Sequence, residues 1–549
     1  MLRRVCGATR VSRRSCRLLS GEPPTHVKMD TLVNLCKKRG FIFPSAEVYS
    51  SMSGFFDYGP LGVEMKNNIK QLWWAEMVRG RQDMVGVDSA IIGHAQLFQA
   101  SGHTDEFSDE MVDCRDTKLR YRADQVHWAK VEAASAAEES SSYVGYVCFV
   151  EEEGRTLQQT VEAKARALAK KKGVTASELL PLVLRDLSQA DCSLDLPRIP
   201  GPDSGVEGSL TPPRKFNLMF DTSVGPVAAE EGDTSNRAFL RPETAQGIFT
   251  NFLNVQRSCR MKIPFGIAQI GKAFRNEITP RNFTFRSREF EMMEVEYFIP
   301  PEQCYSDKFF KDWLDASWRF LLQVGVEESR MHLKPHAPDQ LAHYAKASTD
   351  IEFEYPFGVQ ELMGVADRGC FDLECHARGS GKSFEYLDKE NFEHLDNDAP
   401  ALKQRKYIPH CIEPSIGVDR LFLAVLASAY EEELLDNGDR RTVLKLKRRV
   451  APIKAAVFPL VKNNPAIMDK ALEVHSALRK RYNCELDSSG AVGRRYRRAD
   501  EVGVPLCITV DFETLEDNCI TLRDRDTMQQ RRVAICELEK IMYEEIELS

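Results

Sequence analysis

The sequence has no apolar run long enough to span a bilayer, no CxxC pair and no excess of positive charge. This chain of 549 residues is 43% hydrophobic and 28% charged, as is usual for a soluble globular protein, so no membrane association is expected. The net charge of -8 argues against general binding to polyanions, although a local basic face could still contact nucleic acid. A chain of this length is expected to form two or three domains.

The 15 cysteines are odd in number and scattered, which indicates reduced thiols rather than a disulfide framework. Cys370 and Cys375 are the closest pair in the sequence. We interpret them as free thiols, and the alternative of zinc ligands is disfavoured because no second Cys or His pair accompanies them.

Acidic residues are absent before Glu22, whereas the same stretch contains six arginines and several serines. Such a start is typical of an organellar transit peptide, so residues 1–28 predict import into mitochondria or another organelle. The alternative is a disordered basic tail. Met29 opens the region expected to fold, and a second start there could produce a cytosolic form.

Composition divides the rest of the chain. Residues of about 126–213 are rich in charge, Ser, Asp, Pro and Gly, include one charged surface helix, and are predicted to form an insertion between two halves of one domain. Residues 214–300 are strand-like, and 302–325 have the pattern of a long amphipathic helix. The basic run at 439–449 marks a boundary, beyond which 449–549 alternate strand and helix as a small α/β domain.

The stretch GKAFRNEITPR, at 271–281, ends an apolar strand with charged residues, and the chain returns as SREFEMMEVEYFI. Strand alternation puts Arg275 and Glu277 on one face, and it puts Phe290 and Glu294 on one face of the return strand. The opposite face of that strand is apolar core. Burying such charges costs several kcal/mol unless they meet a partner or a ligand, so a ligand floor and a structural ion-pair cluster are both open for this stretch.

A second element favours the ligand floor. EPSIGVDR, at 413–420, places a carboxylate and a hydroxyl at a strand end and Arg420 in the first turn of an apolar helix. Helix N-termini disfavour cations, so an arginine there is expected in solvent or bound to an anion.

These motifs resemble class II aminoacyl-tRNA synthetases. FRNE followed by RSREF is similar to their motif 2, the turn into the helix of Arg420 to motif 3, and YGPLGVEMKNNIKQLWW to the motif 1 region of the dimer interface. DYGPLG, LRPETAQGIF, EFEMMEVEYF, GVADRGCFDL, EPSIGVDR and TLRDRD together resemble glycyl-tRNA synthetases of the homodimeric type, from about Met29 to the C-terminus without the insertion.

The resemblance implies an α+β fold. Residues 29–448 would form a class II catalytic domain built on an antiparallel sheet flanked by helices, with the insertion inside it, and 449–549 a mixed α/β anticodon-binding domain. The implied reaction joins glycine to ATP as glycyl-adenylate and transfers the glycyl group to the 3′ end of tRNA(Gly). The implied partners are glycine, ATP with Mg²⁺, tRNA(Gly) and a second copy of the chain.

The resemblance also implies roles for individual residues. Arg275 would hold the α-phosphate, Glu277 the adenine amino group, and Phe290 would stack on adenine with Arg420 above the ring or near the γ-phosphate; Arg275 and Arg420 are the expected catalytic residues. The other positions expected at the nucleotide are Asn276, Phe285, Arg286, Glu361 and Leu362, with Glu361 as the magnesium ligand.

For glycine, the matching positions are Glu243, Glu294, Glu413 and Ser415, with Arg368 as the partner of its carboxylate and Arg122 as a weaker candidate. Carboxylates would bind the ammonium group, and their bulk would close the pocket to a methyl group.

One motif departs from the pattern of the family. Many bacterial relatives have a CxxC before RAD, but here CRDTKLRYRAD has Thr117 where the second cysteine would be, so we expect no zinc there. The basic run GRRYRRAD, at 493–500, is either a tRNA contact or a solvated loop. The alternative function is a non-catalytic, class II-like subunit that binds nucleic acid, and the retained Arg275, Glu277 and Arg420 disfavour it.

Overall fold

The structure is a computed structural model that describes residues 27–134, 141–150, 156–225, 236–388, 405–435 and 438–548. The predicted transit peptide lies almost wholly outside the described residues. Across the described ranges, no helix combines the length and apolar character needed to cross a membrane.

The first described region supplies the helix that packs behind the main sheet. Its elements are α1 (Met29–Arg39), β1 (Ile42–Pro44), β2 (Phe56–Tyr58), α2 (Pro60–Trp74), β3 (Met84–Gly86), β4 (Ile92–His94), α3 (Ala95–Ala100), α4 (His103–Glu106), β5 (Ser108–Asp113) and β6 (Arg120–Arg122). Pro60 stands at the first position of α2, where its missing N–H costs nothing. The stretch that resembles motif 1 thus lies largely in α2, which continues as one π-helical turn at Ala75–Arg79.

The region predicted as an insertion has a small core of its own. It contains β7 (Val126–Ala134), β8 (Ser141–Val150), α5 (Leu157–Lys172) and β9 (Arg185–Asp186). The strands form a three-stranded sheet in the order β8-β7-β9. Val161, Ala165 and Ala169 of α5 pack on that sheet, and the charged side of the helix faces solvent.

The central region builds the sheet that carries the site. Its elements are β10 (Arg214–Asn217), β11 (Asp221–Ser223), β12 (Arg237–Leu240), α6 (Ala245–Ser258), β13 (Phe265–Phe274), β14 (Glu289–Ile299), α7 (Gln303–Val324), β15 (Met331–Pro335), β16 (Ala347–Tyr355), β17 (Gly358–Gly369), α8 (Phe371–Ser380), β18 (Tyr386–Asp388), β19 (Arg405–Tyr407), β20 (His410–Gly417), α9 (Val418–Ala429), β21 (Tyr430–Leu434) and β22 (Arg440–Leu444).

The main sheet has seven strands in the order β15-β16-β17-β20-β14-β13-β3, and only the β3–β13 pair is parallel. On β14, Met293, Val295, Tyr297 and Ile299 face the core, as the sequence predicted, and pack with α2, α7 and α9. Helix α9 is buried along almost its whole length because it lies between this sheet and α2. The opposite face of the sheet is left for the site.

One local prediction is wrong. The strand-like region 214–300 contains the helix α6, whose Ala245, Ile248, Phe249 and Phe252 are buried at helical spacing. In GVADRGCFDL the strand ends at Gly369, where the backbone turns left-handed (φ 54°), and the last residues begin α8.

The C-terminal region forms a five-stranded mixed sheet in the order β24-β23-β25-β26-β27. Its elements are β23 (Ala455–Pro459), α10 (Pro465–Leu478), β24 (Cys484–Leu486), α11 (Val492–Glu501), β25 (Leu506–Val510), α12 (Thr514–Asp517), β26 (Cys519–Asp524), β27 (Gln530–Ala534) and α13 (Leu538–Glu547). The solvated-loop interpretation of GRRYRRAD is wrong, because these residues lie in α11 and Arg495 is buried against the carbonyls of Pro459 and Gly490.

An apolar core crosses the boundary predicted at 449. Val450, Ala451 and Phe458 belong to the same buried cluster as the residues behind the main sheet. Deleting the C-terminal region would therefore expose part of the core of the catalytic region. Substitutions are better suited than a deletion to test the functions of the two regions separately.

Candidate active site

A cavity of about 290 Å³ lies on the open face of the main sheet. The strands β14, β17 and β20 form its floor, and the segment between β13 and β14 and the first turn of α9 form its walls. The residues that line it are Glu243, Arg275, Glu277, Thr284, Phe285, Arg286, Ser287, Phe290, Met292, Glu294, Tyr344, Ser348, Asp350, Glu361, Leu362, Gly364, Val365, Ala366, Glu413, Ser415, Gly417, Asp419 and Arg420.

Twelve of the fifteen predicted site residues line this cavity, namely Glu243, Arg275, Glu277, Phe285, Arg286, Phe290, Glu294, Glu361, Leu362, Glu413, Ser415 and Arg420. They come from segments up to 177 positions apart in the sequence, as Glu243 and Arg420 are. The register explains how the floor residues meet, because Glu294 of β14 pairs with Ser415 of β20, and Glu413 pairs with Ala366 of β17.

One end of the cavity is cationic and aromatic. The Arg275 Cζ lies 5.4 Å from the centre of the Phe290 ring, and the Arg420 Cζ lies 4.5 Å from that of Phe285. Arg420 donates from Nη1 to Glu361 Oε2 at 3.0 Å. Arginines held against ring faces keep the edge of the guanidinium free for an anion.

Arg286 is the least satisfied cation of this end. Its Nη1 is buried and has no hydrogen-bond partner among the described residues, and its Nε lies 3.6 Å from Glu277 Oε2. Burial lowers the pKa of Arg286, and the neighbouring charges of Arg122 and Arg420 add to the effect. A buried donor without a partner costs free energy, which an incoming acceptor would recover.

The other end of the cavity is acidic. Glu294 accepts hydrogen bonds from the backbone N–H of Thr244 at 2.7 Å, from the Thr244 hydroxyl, and from Ser415 Oγ at 3.0 Å. Glu243 Oε1 accepts from Gln246 Nε2 at 3.1 Å and lies 3.4 Å from His103 Nε2. These bonds fix where the carboxylates point.

The carboxyl groups at this end repel one another. Burial raises the pKa of Glu413 to about 8, with Arg368 opposing and Glu294 and Glu243 adding to the rise. Burial and the charge of Glu243 likewise raise the pKa of Glu294. Burial works in the same direction on Glu243, but the adjacent His103 and Arg368 hold its pKa well below the usual range. The acidic end therefore has more carboxyl groups than cations, and a ligand ammonium would supply a further positive charge.

Three predicted residues are not in the cavity wall. Arg368 is buried, donates to both Glu413 oxygens at 2.9 and 3.0 Å, and donates to Asp372 through Nε and Nη2. These four hydrogen bonds use most of its donors, and the contact of Arg368 with a ligand carboxylate stays a prediction. Through its bonds to Glu413, Arg368 positions that carboxylate.

The other two lie beside the cavity. Asn276 donates its backbone N–H to the carbonyl of Leu218 at 2.7 Å, and its side chain does not line the cavity. Arg122 is ion-paired with Asp109 at 3.0 Å and with Asp124 at 2.7 Å. Neither lines the cavity, and their contacts with a ligand stay predictions.

Sequence reasoning missed several wall residues, above all Tyr344, Asp350 and Asp419. Asp350 lies on β16 opposite Gly364 of β17, so only the strand pairing brings it to the cavity. Asp419 had a sequence signal, since it directly precedes Arg420 in EPSIGVDR. Both residues of this first turn of α9 lie at the cavity wall.

No three His, Cys, Asp or Glu residues of the described ranges stand close enough together to hold a metal ion. Cys370 and Cys375 are free thiols, as predicted, and so is Cys114, whose Sγ faces the hydroxyls of Ser204 and Ser209.

The fold and the site define a class of protein. Residues 229–429 match the family model of the tRNA synthetase class II core domain (G, H, P, S and T), and residues 454–545 match that of an anticodon binding domain. The antiparallel sheet, with arginines from the predicted motifs 2 and 3 at one cavity, is the architecture expected of class II aminoacyl-tRNA synthetases. The predicted α+β fold class is confirmed.

Whole-chain similarity gives the family. The chain is 44% identical over 519 residues to the glycine–tRNA ligase of Clostridium tetani, a match that covers 94% of this chain and 98% of that protein. It is 45% identical over 518 residues to that of Clostridium acetobutylicum, with the same coverage. It is 44% identical over 556 residues to that of Rhodopirellula baltica, covering 92% and 97%. The chain belongs to the glycine–tRNA ligase family, and the predicted resemblance is confirmed.

Proposed function

We propose that the protein joins glycine to ATP as glycyl-adenylate and then transfers the glycyl group to the 3′ end of tRNA(Gly). The buried Arg286 Nη1, which has no partner in the described part of the chain, carries this proposal, because it lines, together with Arg275 and Arg420, a cavity whose other end is acidic. One end is suited to phosphate and the other to an ammonium group. The non-catalytic alternative has no support.

The three arginines form the proposed triphosphate site. Guanidinium groups bind phosphate oxygens through paired hydrogen bonds. Arg275 donates from Nε to the carbonyl of Pro242 at 3.1 Å. Arg420 donates from Nε to the carbonyl of Phe285 at 3.3 Å and from Nη1 to Glu361, which leaves both terminal nitrogens of Arg275 and Nη2 of Arg420 for a ligand. Arg275 would hold the α-phosphate, and Arg286 and Arg420 the outer phosphates.

Adenine fits between the aromatic and charged groups of this end. Phe290 offers a ring face beside Arg275, and Glu277 lies at the same wall with one carboxylate oxygen near Arg286. Phe290 would stack on the base, and Glu277 would accept from its amino group. Stacking and one directed hydrogen bond would fix the base without covalent chemistry.

The acidic end forms the proposed glycine site. Glu243, Glu294 and Glu413 would surround the ammonium group, with Ser415 between the last two on the floor. The carboxylates are held by Gln246, Thr244 and Arg368, so they cannot easily swing aside for a larger side chain. Selection against alanine would follow from steric exclusion.

The residues at the cavity also fit a magnesium ion that stays bound to the nucleotide. Mg²⁺ keeps several waters and is usually held by one or two carboxylates together with phosphates, so a large protein cage is not required. Glu361 and Asp350 are the two carboxylates on neighbouring strands of the cavity wall. When bound, the ion would neutralise phosphate charge. Arg420, which pairs with Glu361, holds that carboxylate ionised by lowering its pKa against the effect of burial.

In the first step, a glycine carboxylate oxygen attacks the α-phosphorus, and the bond from that phosphorus to the oxygen of the pyrophosphate group breaks. In the second, a hydroxyl of the terminal ribose attacks the glycyl carbonyl, and AMP leaves. The protein forms no covalent intermediate. Its residues would act by holding the reacting atoms in line and by stabilising charge on the phosphate.

The proposed tRNA site includes the C-terminal region, because residues 454–545 match an anticodon binding domain. Within α11 only part of the basic run is free for such a contact. Arg495 is buried, whereas Arg494 is exposed and Arg497 and Arg498 are partly exposed and paired with Asp439 and Asp487.

We also propose a homodimer. Val48, Tyr49 and Met52 are 88%, 86% and 61% exposed, and they lie in the segment that leads into α2, the helix of the predicted motif 1. Apolar side chains this exposed in one short segment are typical of an interaction surface.

Import into mitochondria or another organelle remains a proposal that rests on the arginines of residues 1–28. Helix α1 begins at Met29, so a chain that started there would retain it. N-terminal sequencing of the protein from each compartment would test both parts, and a single identical start in both would contradict the second form.

The test of function is amino-acid-dependent exchange of pyrophosphate into ATP across a panel of amino acids. Glycine alone is expected to support exchange, and alanine and serine are expected to give less than about one hundredth of its rate. Exchange with another amino acid in preference to glycine would contradict the proposed substrate, and no exchange with any would contradict the proposed reaction.

A further inference from the structure

A buried polar cluster lies directly behind the nucleotide end of the cavity. Lys66 of α2 places Nζ 3.0 Å from Asp419 Oδ1 and 3.2 Å from Glu291 Oε2. The Tyr58 hydroxyl donates to Asp419 Oδ1 as well. Asp419 Oδ2 accepts the backbone N–H of Glu291 at 2.7 Å. Lys66 and Asp419 are only 6% and 5% exposed.

The cluster is satisfied within itself. Burial alone would lower the pKa of Lys66, but Asp419 and Glu291 outweigh it and raise that pKa, so Lys66 remains charged. The Lys66 ammonium also lies 4.2 Å from the centre of the Tyr58 ring. Buried charges are costly, yet a network with every group paired holds its members in one arrangement.

Asp419 is next in sequence to Arg420, and some of the residues that it contacts are next in sequence to other residues of the cavity wall. Asp419 precedes Arg420, and its Oδ2 holds the N–H of Glu291, the neighbour of Phe290. Its carbonyl accepts from the hydroxyl of Thr284, the neighbour of Phe285, at 3.4 Å. Through these bonds Asp419 joins the start of α9 to β14 and to the loop that precedes β14 in the predicted motif 2.

We propose that Asp419 is a positioning residue that sets the spacing between Arg420 and Phe290 and thereby the site for the nucleotide. This inference rests on the proposed function. Lys66 and Tyr58, both outside the cavity wall, hold Asp419 in place from α2 and the end of β2. Asp419 acts on the nucleotide through its neighbours. The carboxylates of the glycine end are held by Thr244, Ser415, Gln246 and Arg368 and not by Asp419, so we expect that end to be independent of it.

The experiment compares the KM for ATP with the KM for glycine in glycine-dependent pyrophosphate exchange. Asp419→Asn keeps the size of the side chain but removes the negative charge that holds Lys66. It also replaces one carboxylate oxygen, which accepts hydrogen bonds, by an amide NH2 group, which donates them. We expect the KM for ATP to rise about tenfold, because a displacement well below 1 Å at the base and phosphates suffices for such a loss. The KM for glycine should stay within about twofold of wild type.

Three further variants grade the effect. Lys66→Met removes the buried cation and Tyr58→Phe removes one hydrogen bond to Asp419, so both should raise the KM for ATP, the second by less. Lys70→Met is the matched control. Lys70 lies one turn further along α2 and pairs with Glu291 Oε1 at 3.0 Å without contacting Asp419, so its loss should leave the KM for ATP unchanged.

A structural role alone would lower the active fraction and leave both KM values as they are. If Asp419→Asn and Tyr58→Phe keep the wild-type KM for ATP, or if the KM for glycine rises equally, the proposal is overturned. Should Asp419→Asn fail to fold, Tyr58→Phe against Lys70→Met decides. Absence of exchange in the wild-type protein would instead overturn the proposed function, so the two failures are distinguishable.

Discussion

Two regions of this molecule bury arginines among carboxylates, and they differ in whether the charges have partners. In the C-terminal region, Asp500 accepts from Arg441 Nε at 2.8 Å and from Arg523 Nη1 and Nη2 at 2.9 and 3.1 Å. Arg441 Nη2 donates to the carbonyl of Arg525 at 2.6 Å. In the cavity, by contrast, Arg286 Nη1 is buried without a partner in the described chain.

The same residue types thus serve two purposes. The cluster around Asp500 joins β22, α11 and β26, and its arginines donate to partners within the protein. The cavity keeps cations at one end and carboxylates at the other, each short of partners. Incomplete pairing, rather than the presence of charge, marks the ligand site.

The largest effect on activity is expected at Arg275, in the cavity. Arg275→Ala is expected to lower glycine-dependent pyrophosphate exchange by about 1,000-fold or more, because a donor aimed at charge that develops on the phosphate is lost. Thermal unfolding should change little, since Arg275 makes one side-chain hydrogen bond within the protein.

Lys272→Ala is the matched control for Arg275. Lys272 lies on the same strand, but it is exposed and pairs with Glu289 at the surface. Its loss should leave exchange near the wild-type rate. Near-normal exchange in Arg275→Ala would remove the proposed role of Arg275.

For the paired cluster around Asp500 we expect the opposite pattern, a loss of stability without a loss of activity. Asp500→Asn leaves Arg523 buried without a counter-charge and leaves Arg441 with Glu433 as its remaining partner, so the free energy of unfolding should fall by about 3 kcal/mol, as measured by urea denaturation. Exchange per folded molecule should be unchanged, because the cluster does not touch the cavity.

Glu539→Gln controls for charge removal in the same region. Its pair with Arg481 is exposed on both sides, and the loss should cost at most about 0.5 kcal/mol. Equal losses in the two variants would mean that burial does not distinguish the pairs.

The sequence predicted which residues approach a site better than it predicted what each one contacts. Strand alternation placed Phe290 and Glu294 on one face, and both line the cavity. Alternation does not show a bulge, and the register of β17 against β20 shifts at Arg368, between Asp367 and Gly369. There the side chain meets Asp372 of α8, a partner that only the tertiary fold supplies.

The C-terminal region teaches the same limit. TLRDRD and GRRYRRAD are as rich in arginine as the motif 2 segment. Arg523 and Arg525 of the first, and Arg495 of the second, are consumed by internal carboxylate or carbonyl partners. Local sequence contains the donors but not their acceptors, which come from segments far away in the chain.

At the acidic end, Glu294→Gln tests whether the cavity is divided into a glycine end and an ATP end. The amide keeps the shape but removes a charge from the proposed ammonium site, so the KM for glycine should rise about 30-fold, equivalent to about 2 kcal/mol. The KM for ATP should change by less than about threefold. Both are measured by pyrophosphate exchange.

Glu289→Gln, on the same strand but partly exposed and paired with Lys272, should alter neither KM. A larger effect of Glu294→Gln on ATP than on glycine would assign Glu294 to the nucleotide.

The smallest expected effect is one of pH, and its sign follows from the crowding of carboxyl groups. Burial raises the pKa of Glu413 to about 8, so below that pH the acidic end retains a proton. The ammonium of glycine and this proton compete for the same negative charge. The KM for glycine should therefore fall about tenfold between about pH 6.5 and about pH 8.5 and then level off, with one proton released per glycine bound near neutral pH.

The KM for ATP, measured in the same buffers, should not follow this curve, because the arginines at the other end stay charged throughout. A KM for glycine that is flat across this range would mean that Arg368 alone keeps Glu413 ionised, and the acidic end would then be as fully paired as the cluster around Asp500.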